Sequence, residues 1–128
     1  MSFWLFKSDP DTYSWHHLLK DKSAVWDGVS NPLALKHLKN LKKGDQILIY
    51  HTGDEKAIVG VAQAMSDSYP DPKNSKLTVV DIKPLTPLKE PITLSFIKSK
   101  PKFKDWELVR MSRLSVMPVS AELWKELV

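Results

Sequence analysis

QILIYHTGDEKAIVGVAQAM, residues 46–65, is the stretch whose reading decides the fold. It opens on an apolar run, QILIYH, and closes on a second run, AIVGVAQAM, with only the polar loop TGDEK between them. Two strands so close in sequence pair most simply as a β-hairpin, and the KKGD turn ending at Asp45 launches the first of them. Upstream, Phe3 to Phe6 is an unbroken apolar and largely aromatic run, too short for a helix and bounded by the turn-prone SDPD. It reads as a strand buried on both faces. Ser14 has the form of an N-cap for a short helix from Trp15 to Lys20. A second helix runs from Pro32 to Leu41, with Leu35, Leu38 and Leu41 on one side and its lysines largely on the other. Downstream, Leu77 to Ile82 forms another strand. Pro84, Pro87 and Pro91 then predict an extended connection that cannot sit in a central strand. Thr93 caps a short helix through Lys98, a strand from Leu114 is closed off by Pro118, and Ser120 caps a last helix that packs through Leu123, Trp124 and Leu127. Sequential hairpins with few long crossovers argue against a doubly wound parallel sheet. The expectation is one α+β domain over residues 1–128: a small, curved, mostly antiparallel sheet or barrel flanked by short helices.

Composition narrows the functional classes. With 128 residues, 42% hydrophobic and 27% charged, the chain has the size and make-up of one ordinary globular domain. The absence of cysteine removes disulfides, thiolate nucleophiles and cysteine-rich zinc sites, and fits a reducing compartment. No apolar run reaches membrane-spanning length, and the aromatic, charge-interrupted start MSFWLFKSDP is unlike a signal peptide. A cytoplasmic, intracellular protein with no membrane association is expected. His16 and His17 are adjacent while His37 and His51 stand alone, so no pair has the helical spacing that would set two ligands on one face, and no metal is expected. Glycines at 28, 44, 53 and 60 form neither a phosphate-binding loop nor a dinucleotide fingerprint, and there is no G-x-S-x-G elbow. No cofactor and no obligate protein partner is indicated.

The hexapeptide WDGVSN, Trp26 to Asn31, has the parts that a planar, hydrogen-bonding ligand needs. Trp26 supplies a stacking face, Asp27 and Gly28 let the chain reverse, and Asn31 offers both donor and acceptor atoms. Each residue also fits a plain structural role: Asn31 before Pro32 has the form of a helix start, and Trp26 that of a packing residue. His51, at the end of its strand after Tyr50, reads either as a hydrogen-bonding group facing a cleft or as a surface histidine. The formal net charge is only +4, yet cations bunch at Lys36, Lys39, Lys42 and Lys43 and again at Lys98, Lys100, Lys102 and Lys104. Such bunches attract polyanions, or are simply a solvated helix face in the first case and a polar loop in the second.

Five separated words of the sequence agree, in order, with one family. FWLFKSDPDTYS from Phe3, WDGVSN from Trp26, KGDQILIYHTGDEKAIVGVA from Lys43, SYPDP from Ser68 and RLSVMPV from Arg113 together resemble the EVE domain over nearly the full chain. The resemblance implies a PUA-like pseudobarrel with surrounding helices, related to the YTH readers of methyladenine in RNA. It implies a non-catalytic reader of modified bases, chiefly modified cytosine in DNA, with RNA as the other polymer. By the same resemblance, the pocket is lined by Lys7 and Ser8 from the first strand, by Trp26 and Asn31, and by Tyr50, His51 and Thr52. Val116 to Pro118 closes another wall, and Lys36, Lys39, Lys43, Lys100 and Lys102 hold the nucleic-acid backbone. A base would leave its stack, insert between aromatic and apolar surfaces, and be identified at its pairing edge.

The chain departs from the family pattern in three places. Ser30 and Leu35 stand where arginine is common, and Pro32 where an aromatic residue is common. Two further readings therefore remain beside the reader. One is a sensor of a free nucleobase or similar metabolite. The other is a small-molecule enzyme with His51 as base and Asp9 or Asp27 as its orienting partner, which requires those side chains to meet.

Overall fold

The hairpin predicted from residues 46–65 lies in the middle of the sheet. A computed structural model describes residues 1–128, and in it β3 (Gln46–His51) and β4 (Ala57–Ala64) pair antiparallel with Ile47 opposite Ala62 and Leu48 opposite Val61. The first strand, β1 (Phe3–Ser8), lies on the other side of β3 and runs parallel to it, with Trp4 beside Ile47 and Phe6 beside Ile49. Its far edge is covered by β7 (Val116–Val119), antiparallel, with Phe3 opposite Val119. Leu5 and Phe6 are completely buried because β1 has a neighbour on each edge and packing on each face, as an unbroken apolar run requires.

The remaining strands are β2 (Ala24–Trp26), β5 (Tyr69–Asp71) and β6 (Asn74–Thr93). They complete a seven-stranded sheet in the order β2-β6-β4-β3-β1-β7, with β5 also on β6. Apart from β1 with β3, every pairing is antiparallel, and the sheet curls into a half-barrel. Five short helices surround it: α1 (Trp15–Asp21), α2 (Pro32–Leu38), α3 (Leu94–Lys98), α4 (Glu107–Arg110) and α5 (Ala121–Leu127). Side-chain oxygens cap four of them as expected: Ser14 accepts from the His17 N–H, Asn31 from Ala34, Thr93 from Phe96 and Ser120 from Leu123.

Three local expectations need correction. Pro84, Pro87 and Pro91 do not lie in a connection; β6 runs through all three, with Pro84 opposite Ala62 and Pro87 opposite Gly60. The reason is that β2 and β5 cover β6 only as far as Ile82, so beyond it the strand is paired on one edge alone and a missing N–H can face outward. Register shifts near Gly60 and Ala62 absorb the remaining mismatch. Pro118 likewise lies inside β7, an outer strand, rather than ending it. Finally, the lysine-rich segment after Lys98 is not a plain loop: a 3-10 turn at Pro101–Phe103 and α4 anchor it through buried Phe103, Trp106 and Leu108.

Two buried contacts fix how these layers meet. Asp45, 4% exposed, accepts from the Ser2 N–H at 2.9 Å, the Trp4 indole N–H at 3.0 Å and the Lys42 N–H at 3.0 Å, tying the entry of β3 to the start of β1. Gly60 in β4 is roofed by the indole of Trp15 from α1, so closely that a Cβ there would lie 2.6 Å from two of its ring carbons.

Candidate functional site

A cleft of about 620 Å³ opens where the ends of β1 and β2 meet the turn that leads into α2. Lys7 and Ser8 reach it from β1, Trp26 from β2, and the whole of Asp27–Asn31 from the turn, with Tyr13 and Ser115 completing the rim. The turn can reverse here because Gly28 has φ of 75°, a left-handed conformation that a side chain would strain, while buried Val29 pins the loop to the core. WDGVSN therefore shapes the cleft from both its ends.

Trp26 is half-buried, packed on one side and open to the cleft on the other. Its ring packs against Phe6 at 5.3 Å between centroids and meets Tyr13 edge-on at 6.3 Å, yet it still lines the open cleft. Asn31 is likewise double: its Oδ1 accepts from the Ala34 N–H at 3.0 Å, which leaves the Nδ2 donors unused by the protein. The Ser8 hydroxyl donates to the Tyr13 carbonyl, fixing its direction while its oxygen stays able to accept. Lys7 Nζ donates to the Ser112 carbonyl at 2.8 Å and stands 5.6 Å from the Tyr50 ring centre, and burial holds its pKa below the ordinary lysine value. Asp27 brings an exposed carboxylate to the rim with no hydrogen bond inside the protein. Sequence reasoning gave Asp27 only a turn or orienting role; the signal for more was its place between the stacking Trp26 and Gly28.

The other expected pocket residues lie elsewhere. His51 is 7% exposed, and both of its ring nitrogens are engaged: Nε2 accepts from the Trp15 N–H at 2.9 Å and Nδ1 bonds Glu55 at 2.7 Å. It meets neither Asp9 nor Asp27, so His51 itself is not a free imidazole base. The Tyr50 side chain is buried under Lys7. Thr52 is spent on the Ser8 carbonyl, which accepts its N–H at 2.9 Å. Val116 is fully buried opposite Phe6, and the Pro118 carbonyl accepts from the Trp106 indole at 3.1 Å. None of these five residues lines the cleft. Among the lysines, Lys36, Lys39 and Lys43 are exposed, Lys100 stands 5.3 Å over the Phe96 ring, and Lys102 is held by Glu126 at 2.7 Å, which raises its pKa. Of the three departures from the family pattern, Ser30 lines the cleft, Pro32 opens α2 and Leu35 packs against the core.

All three tyrosines titrate above the ordinary phenol value. Tyr13 is pushed up to about 12 by burial and by its bond to Asp21, and Tyr69 to about 12 by its bond to Asp81, while burial raises Tyr50. Ionisation is thus harder in the folded chain than in the unfolded one. The associated stabilisation is complete below the unfolded pKa of about 10 and is lost as pH climbs toward about 12. Ultraviolet absorbance of the phenolate should stay nearly flat through about pH 10 and then rise together with loss of the fold; a full tyrosine signal near pH 10 in the folded protein would contradict these contacts.

Comparison with known proteins places this architecture. The EVE domain family model matches residues 2–128, and the chain belongs to that family. Thymocyte nuclear protein 1 of Gallus gallus is 27% identical over 93% of this chain, which spans 64% of that protein's length. A Rhodopseudomonas palustris protein solved by NMR is 40% identical, with a TM-score of 0.94 over 99% of this chain and 90% of its own. The human THYN1 protein, solved in complex with 5-methylcytosine containing DNA, is 25% identical, with a TM-score of 0.91 over 99% of this chain and 95% of its own. The curled half-barrel with short helices is the PUA-like fold of these neighbours.

Proposed function

We propose that the chain reads a single modified nucleobase, a modified cytosine in DNA, in the cleft beside Trp26, and that it does so by binding and not by catalysis. The observation that carries this reading is the joint presence, on one cleft of about 620 Å³, of an accessible indole, the unused amide donors of Asn31 and the unused carboxylate of Asp27. A cytosine presents an exocyclic amine that donates and ring N3 and O2 atoms that accept. Asp27 matches the first and the Asn31 Nδ2 the second, with the ring stacked on Trp26 after the nucleotide leaves its duplex. The structural likeness to the human protein bound to 5-methylcytosine DNA supports the same choice of partner. The engagement of both His51 nitrogens favours a binding role over general base chemistry.

The test is a titration of the full chain with short DNA and RNA carrying plain or modified bases, beside Trp26→Ala. Base stacking contributes about 1–3 kcal/mol, so the variant should bind modified DNA about ten- to a hundredfold more weakly. Discrimination by the extra methyl should also shrink, since a methyl contributes only about 1–3 kcal/mol even in a good pocket. Unchanged affinity in Trp26→Ala would overturn the assignment of the cleft.

A further inference from the structure

Beside the Trp26 cleft, and sharing Asn31 with it, lies a second groove of about 380 Å³. Its polar lining comes from Arg110, at the end of α4, and from Ser112 and Arg113 in the turn before β7; Leu33 and Leu114 contribute apolar surface. No carboxylate lines it. Arg110 and Arg113 are the only arginines among the chain's 19 basic residues, and both are exposed. Neither makes an ion pair, in contrast to Lys102, which is engaged by Glu126 and Glu122. The Met111–Leu114 turn is closed by the Leu114 N–H donating to the Met111 carbonyl at 3.0 Å, and the N–H groups of Ser112 and Arg113 find no acceptor in the protein. The same turn is tied to the base cleft, because the Ser112 carbonyl accepts from Lys7 Nζ.

We propose that this groove holds the phosphodiester next to the base in the Trp26 cleft, with Arg110 and Arg113 as its ligands; the proposal rests on the base-reading function above. A guanidinium offers a planar fork of donors that fits two phosphate oxygens, and two forks in a groove free of acidic side chains form an anion site of positive charge. The spare turn N–H groups add donors of the same sense. Anchoring of the DNA strand thus falls to this pair more than to Lys100 and Lys102, whose ammonium groups are engaged with Phe96 and Glu126.

Fluorescence anisotropy on the full chain tests this. The probes are a DNA oligonucleotide with one 5-methylcytosine, its unmodified twin and an RNA of the same sequence, each across a salt series, and the proteins are the wild type, Arg110→Ala, Arg113→Ala, the double variant and Trp26→Ala. Each arginine variant should weaken both DNA probes by the same factor, about tenfold, and lower the slope of log affinity against log salt by about one. Binding of free 5-methyldeoxycytidine, followed by Trp fluorescence, should be unchanged by the arginine variants. Full affinity and full slope in the double variant, with loss only in Trp26→Ala, would overturn the phosphate site and leave the base reading intact. A wild type that binds no probe overturns both. Weaker nucleoside binding in the arginine variants overturns the proposal by placing them at the base, and an arginine effect confined to RNA overturns the choice of DNA. Because both side chains are exposed, matching thermal midpoints check that the variants fold.

Discussion

Asp45→Ala is expected to cost about 4 kcal/mol of folding stability, close to the largest loss any single side-chain truncation in this chain should cause. Its carboxylate accepts three N–H groups at 2.9–3.0 Å, from Ser2, the Trp4 indole and Lys42. Bonds to an ionised acceptor are stronger than neutral ones, and a buried donor left without a partner keeps its whole desolvation cost. The Trp4 indole N–H is such a donor, being buried at the junction of β1 and β3. Asp45→Asn should lose less, about 2 kcal/mol, because an amide keeps one acceptor oxygen but points its NH2 at donors on the other side. Urea unfolding followed by Trp fluorescence gives both values, with near-ultraviolet dichroism reporting whether the Trp4 ring loses its fixed surroundings. An Asp45→Asn protein as stable as the wild type would show that the donors find water instead.

The second large effect is expected at Gly60, where the reason is space and not hydrogen bonding. A methyl group there would lie 2.6 Å from Cε2 and Cζ2 and 2.7 Å from Cδ2 of Trp15. The ring has little room to yield. It is buried, and its backbone N–H is bound to His51, which fixes the start of α1 beneath it. Gly60→Ala should therefore cost about 3 kcal/mol, lowering the thermal midpoint by about 10 °C. Trimming the roof should relieve it: Trp15→Leu and Gly60→Ala combined should be less damaging than the sum of the two. Simple additivity in that double-mutant cycle would mean that the clash is relaxed by a backbone shift away from α1.

The sequence reveals the sheet through local patterns and hides what depends on neighbours. QILIYH and AIVGVAQAM read correctly as a hairpin because loop length and apolar runs are local quantities. The caps at Ser14, Asn31, Thr93 and Ser120 were legible for the same reason. The path of β6 was not, since whether Pro84 is tolerated depends on which edge of the strand is vacant, a fact set by where β2 begins. At the site, WDGVSN, Lys7 and Ser8 line one cleft, whereas Tyr50, His51 and Thr52 are not part of its lining. His51 misleads because a strand-end imidazole looks the same in sequence whether its nitrogens are free or, as here, spent on Trp15 and Glu55. Nothing local marked the Arg110 and Arg113 groove either, as it forms only where the start of α2 comes alongside the turn before β7.

The strand order carries a consequence for biosynthesis. β1 is made before the other six strands, yet one of its two partners is β7, the last of them. Throughout elongation the ribbon FWLF waits with an unfilled edge, apolar on both sides, in the condition that favours pairing with other nascent chains. Full pairing of β1 therefore waits until β7 has been made, long after its other partner β3 is in place.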